Sequence, residues 1–88
     1  MTPNAFDWTL LRSFLAVLEA GSILGAARKL GAQQPTLSRH IAELEAQLKV
    51  PLFERTGRGI VPTAAALAIA DAAREMEAGA ATLARTLA

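Results

Sequence analysis

Gly31-Ala32-Gln33-Gln34-Pro35-Thr36-Leu37-Ser38-Arg39-His40-Ile41-Ala42-Glu43-Leu44-Glu45-Ala46-Gln47-Leu48 is the stretch that decides the fold. Leu37, Ile41, Leu44 and Leu48 recur at steps of four, three and four, which puts them on one face of a helix and obliges that face to pack against something. Gln34, Pro35, Thr36, Ser38 and Arg39 gather at the first turns, off the apolar stripe. Such side chains can hydrogen-bond base edges or phosphates, or fit against a thymine methyl, so this end of the helix is suited to reading. Ser22 to Leu30, just before, reads as a short helix closed by Gly31, and two helices joined by a few residues make a helix-turn-helix.

On the N-terminal side, Met1 to Phe6 is expected to be a loose lead-in, and Asp7 is a good N-cap for a first helix running to Ala20. Trp8, Leu11, Phe14, Leu15 and Leu18 repeat in it at helical spacing, so it should supply much of the core. Ser22 caps the second helix, where Ala26 and Ala27 let another helix approach and Ile23 and Leu30 face inward. Gly25 costs that helix about 1 kcal/mol relative to alanine, which marks a close approach of backbone. Gln33 and Gln34 are weak caps for the third helix, but Pro35 presets the dihedral of a first-turn residue.

On the C-terminal side, Pro51 biases Val50 away from helical geometry and stops the third helix. Leu52 to Arg55 and Gly59 to Pro62 are short strands, and Thr56-Gly57-Arg58 between them reads as a hairpin in which glycine supplies positive φ. A hairpin after a helix-turn-helix is a wing. Thr63 then caps a last helix in which Ile69, Ala73, Met76, Ala80, Leu83 and Leu87 alternate in steps of four and three, the spacing of a pairing seam. The expected fold is mainly α: a winged helix-turn-helix over residues 1–62, made of three helices plus a short two-stranded wing, and a long linker or dimerisation helix over residues 63–88.

Composition narrows the chemistry. Eighty-eight residues make one small domain with a modest core, and an apolar share of 52%, much of it alanine, favours helices. Without cysteine there is neither a disulfide framework nor a thiolate metal site, and His40 alone cannot complete a ligand set, so no metal or cofactor is expected. An enzyme is equally unsupported: no catalytic residue is expected, and Gly57-Arg58-Gly59 lacks the rest of any phosphate loop. No run of ~18 apolar residues and no basic-then-apolar start is present, so a soluble cytoplasmic chain with no membrane partner is expected. The formal net charge is only +1, yet Arg28, Lys29, Arg39, Lys49, Arg55 and Arg58 outnumber Glu43, Glu45 and Glu54 in the middle of the chain, where the positive field is concentrated. Arg39 can alternatively pair with Glu43 at i+4, and His40 reads as a polar flank of the reading face.

These residues resemble the N-terminal winged helix-turn-helix domain of LysR-type bacterial transcriptional regulators. The matching runs are Leu11-Arg12-Ser13-Phe14, Glu19-Ala20-Gly21-Ser22, Ala26-Ala27-Arg28-Lys29-Leu30, Gln34-Pro35-Thr36-Leu37-Ser38-Arg39, Ile41-Ala42-Glu43-Leu44-Glu45, and Pro51-Leu52-Phe53-Glu54-Arg55 with Arg58-Gly59 and Pro62-Thr63, in the family's order. The chain departs from the pattern at Gln33, commonly a serine, and at Thr63-Ala64-Ala65-Ala66, commonly Thr-Glu-Ala-Gly. The resemblance implies that Gln34, Pro35, Ser38 and Arg39 meet the major groove of operator DNA and that Arg58 enters the minor groove. With Ser22, Gln33, Thr36 and Arg55 these make the expected DNA-binding set. The seam of the last helix points to a homodimer through Ile69, Ala73, Met76, Ala80, Leu83 and Leu87, the alternative being a stripe that packs on its own domain. The resemblance implies a small-molecule effector only through a separate C-terminal domain absent from these residues. The competing reading is a helical protein-interaction module without specific DNA binding, built on the same last helix.

Overall fold

The computed structural model of the chain describes residues 7–87, so the expected lead-in from Met1 to Phe6 lies outside the described residues. The elements are α1 (Trp8–Ala20), α2 (Ile23–Leu30), α3 (Gln34–Leu48), β1 (Phe53–Thr56), β2 (Gly59–Pro62) and α4 (Ala64–Leu87). Capping explains where three of the four helices begin. The Asp7 carboxylate accepts from the Thr9 amide at 2.9 Å, the Ser22 hydroxyl from Gly25 at 2.9 Å and the Thr63 hydroxyl from Ala66 at 3.2 Å. Each such bond is worth about 1 kcal/mol. Gln33 caps α3 with no side-chain bond, as its chemistry predicts, and Pro35 stands in the first turn.

α1 is the centre of the molecule, with α2, α3 and α4 all packed on it. Its buried surface is wider than the single stripe expected: Leu10, Ser13, Ala16 and Val17 are sealed along with Leu11, Phe14 and Leu15, while Trp8 and Leu18 sit at the margin. A helix covered on several sides loses the one-faced pattern that spacing alone detects. Leu37 and Leu44 of α3, and Leu52 before the wing, complete the core. Gly25 is crowded by side chains rather than by the expected backbone: a Cβ there would lie 2.9 Å from the Ser22 hydroxyl and 3.1 Å from the Ala20 Cβ, displacing the cap of its own helix.

The connection from α2 to α3 turns at Gly31, whose φ of 64° is left-handed and free of any Cβ penalty in glycine. The other end of α3 closes in the same way at Lys49, with φ 58°, the one non-glycine residue with positive φ among the described residues. Holding a lysine there costs about 1–2 kcal/mol. Lys49→Gly relieves that cost, against about 0.5–1 kcal/mol of extra freedom in the unfolded chain. The expected result is a net gain of about 0.5–1 kcal/mol in urea unfolding. A loss of stability would mean that the lysine side chain makes contacts that outweigh its backbone strain.

The wing differs from expectation by one residue. β1 begins at Phe53, not Leu52, because the Leu52 side chain turns into the core and its amide is taken by Glu45 rather than by β2. Thr56 pairs with Gly59, leaving Gly57-Arg58 as a two-residue loop, and the positive φ, 134°, belongs to Gly59. The register places Arg55 opposite Ile60 and Phe53 opposite Pro62. The Phe53 ring lies 5.7 Å from that of Phe14, which ties the wing to α1.

α4 divides into two parts. Ala66, Ala70 and Ala73 are buried, with Ala66 and Ala73 in the common core and Ile69 packed against it. The core therefore crosses the expected boundary at residue 62, and Ala73, assigned to the pairing seam by its spacing, is already sealed by its own domain. From Arg74 onward every described residue is exposed.

Candidate nucleic-acid interface

α3 sorts its residues as the spacing predicts. Leu37, Ile41 and Leu44 are buried, whereas Gln34, Pro35, Ser38 and Arg39 are exposed and Thr36 is half-buried. Ser38 lines a crevice between α3 and the wing together with Ala42, Glu45, Arg55 and Ile60, so the helix and the hairpin share one surface. Gln33, Gln34 and Pro35 border a second hollow with Leu24 and Arg28 of α2. Ser22, at the start of α2, uses its oxygen to accept the capping bond, which leaves its hydroxyl proton available.

Arg58 occupies the wing tip, where Thr56 organises the turn: its hydroxyl accepts from the Arg58 amide at 3.2 Å and donates to the Gly59 carbonyl at 3.3 Å. The basic residues Arg28, Lys29, Arg39, Lys49, Arg55 and Arg58 are all exposed. Arg39 Nε lies 3.6 Å from Glu43 Oε1, with both side chains more than half exposed. A pair so open and so long is worth a few tenths of a kcal/mol, so Arg39 can leave it for a phosphate or base at small cost.

Two contacts behind this surface have no counterpart in the sequence reading. The His40 ring is joined through Nδ1 to the Ser13 hydroxyl at 2.7 Å, and Ser13 is buried, so a polar link runs from α1 to the middle of α3. Ser13, set between Arg12 and the apolar run Phe14 to Leu18 of α1, carries no periodic mark of such a partner. The second is Glu45, whose Oε2 accepts from the Leu52 amide at 2.7 Å and the Phe53 amide at 3.4 Å. An acidic residue near a helix end carries no periodic mark of such a role.

Met76, Ala80, Leu83 and Leu87 lie exposed along α4. Met76 and Ile69 also border a wholly apolar hollow with Leu11 and Leu48, where α1, α3 and α4 meet.

Three helices, a two-stranded wing and a long trailing helix define the winged helix-turn-helix class of domain. Residues 8–67, which hold every expected DNA-binding residue, match the family model described as "Bacterial regulatory helix-turn-helix protein, lysR family", and the chain belongs to that family. It is 48% identical over 70 residues to the HTH-type transcriptional regulator ClcR of Pseudomonas putida, covering 80% of this chain and 24% of that protein. The chain thus spans about a quarter of that relative's length. Among solved structures it is similar to the DNA-binding domain of CbnR in complex with DNA, with a TM-score of 0.81, 39% identity and coverage of 92% of this chain and 94% of that one. The BenM DNA-binding domain in complex with benA site 1 DNA superposes with a TM-score of 0.84 at 32% identity, covering 93% of this chain and 95% of that one.

Proposed function

We propose that this chain is the DNA-reading unit of a LysR-type transcriptional regulator, binding duplex DNA sequence-specifically as a homodimer and carrying no catalytic step. The observation that carries the reading is the joint surface of α3 and the wing: Ser38 and Arg55 line one crevice, Gln34 and Arg39 stand exposed on the same helix as Ser38, and Arg58 occupies the wing tip. α3 enters the major groove with Gln34, Pro35, Thr36, Ser38 and Arg39 toward the bases, while Ser22, Gln33 and Arg55 contact the backbone and Arg58 reaches the minor groove. The solved DNA complexes of the CbnR and BenM domains, which this chain matches over nearly all its length, support this assignment. Dimerisation runs along α4, where Met76, Ala80, Leu83 and Leu87 are the open part of the seam and Ile69 borders the apolar hollow beside it. Effector response belongs to parts of a regulator outside these residues. The place of action is the cytoplasm, where the chromosome lies.

Selection of bound duplexes from a random pool tests the reading, and a palindromic consensus is the expected result. On that consensus, Gln34→Ala and Ser38→Ala each relax preference at one or two base positions by about 1–3 kcal/mol while non-specific binding remains. A uniform loss at every position would remove these two residues from the reading role. Salt-insensitive or absent duplex binding would favour the protein-interaction module instead.

A further inference from the structure

Glu45 gathers every backbone donor of the connection between α3 and the wing. Its own carbonyl accepts from the amides of Lys49 and of Val50, the latter at 3.2 Å, and its carboxylate accepts from Leu52 at 2.7 Å and Phe53 at 3.4 Å. Pro51, the residue skipped, has no N–H to give. The same carboxylate lies in the crevice lined by Ser38 and Arg55. We propose that Glu45 is a positioning residue for DNA binding: it sets the angle between the wing and α3 so that Arg58 and Ser38 engage the duplex together.

The geometry separates this role from simply holding the wing folded. A two-residue loop makes the hairpin itself stiff, so its direction is decided at the base. The base is also tied elsewhere. The Thr63 amide donates to the Leu52 carbonyl at 2.9 Å, the Thr63 hydroxyl donates to the Pro51 carbonyl at 2.8 Å, and Phe53 packs on Phe14. Those contacts reach α4 and α1, not α3. Without the Glu45 carboxylate the wing stays folded and attached, but loses its hydrogen-bonded link to the helix that reads the bases. A carboxylate accepting two amides is also a stronger tie than a neutral acceptor.

The inference rests on the proposed wing contact of Arg58, and a double-mutant cycle on the 88-residue chain distinguishes failure of one from failure of the other. Affinity is measured on the selected duplex for Glu45→Ala, Arg58→Ala and the double variant, with exchange rates of the Leu52 and Phe53 amides followed in parallel. Arg58→Ala and Glu45→Ala are each expected to weaken binding about tenfold, as loss of one charged contact does, and the double variant to be no weaker than about the same tenfold. The base preferences set by Gln34 and Ser38 should persist, and the two amides should exchange faster. Glu45→Gln, which keeps an acceptor oxygen, should retain most of the affinity. Glu45→Asp, which keeps the charge but is one methylene too short, should behave like the alanine. Additive losses in the cycle would leave the Arg58 contact standing and overturn the role of Glu45. No effect of Arg58→Ala would overturn both. If the alanine variant does not fold, Glu45→Asp carries the cycle, and if that also fails to fold, Glu45 is a folding residue and the positioning role is refuted.

Discussion

Phe14→Ala is expected to destabilise the chain by about 3–5 kcal/mol, the usual cost of removing a fully buried ring. Phe14 has no exposed surface, and its ring meets that of Phe53 at 5.7 Å with a 44° tilt, so one residue of α1 supports both the helix packing and the base of the wing. A domain of this size holds roughly 5–10 kcal/mol in all. The substitution therefore removes a large share of the total, and duplex binding should fall with the folded fraction. Urea unfolding followed by circular dichroism measures the loss, with Phe14→Leu as a control expected to lose far less because most of the volume remains. A loss under about 1 kcal/mol for the alanine variant would show that neighbouring side chains collapse into the space.

The other large effect concerns assembly. Met76→Glu together with Leu83→Glu would place carboxylates on the open part of the α4 seam, where the wild-type residues are 46% and 63% exposed in the single chain. Opposite their symmetry mates these charges repel and lose hydration, so sedimentation should shift to monomer. Affinity for an operator with two half-sites should fall by about 10²–10⁴-fold, the loss of a linked second binding event, while affinity for one half-site should change little. A double variant that stays dimeric would place the interface elsewhere. Leu83 stands well exposed, but Met76 borders the apolar hollow with Leu11 and Leu48, so circular dichroism must show a folded protomer, and a folded monomer is the result that separates this variant from that at Phe14.

The order of elements was legible because it depends on local chemistry. Asp7, Ser22 and Thr63 cap where such residues cap, Gly21 and Gly31 end helices, and Leu37, Ile41 and Leu44 turn inward as their spacing requires. The exposure of Gln34, Pro35, Ser38 and Arg39 followed from the same sorting. What escaped were contacts between elements distant in sequence. Ser13 with His40, and Glu45 with Leu52 and Phe53, depend on how α1, α3 and the wing are brought together, which no period along the chain encodes. The seam on α4 shows the same limit from the other side. Four-and-three spacing identified an apolar face, but not that Ala73 would be taken by its own domain while Leu83 was left outside.

That division of α4 has a thermodynamic consequence for the isolated protomer. The stretch from Arg74 to Leu87 has no buried residue to hold it, so its helicity depends on alanine propensity and on continuity with the anchored turns before it. An unsupported helix of that length is marginal in water. In a dilute monomer this half of α4 would fray toward coil without disturbing the core. Pairing with a second chain would then order it, making helix formation and association a single coupled transition whose midpoint moves with protein concentration.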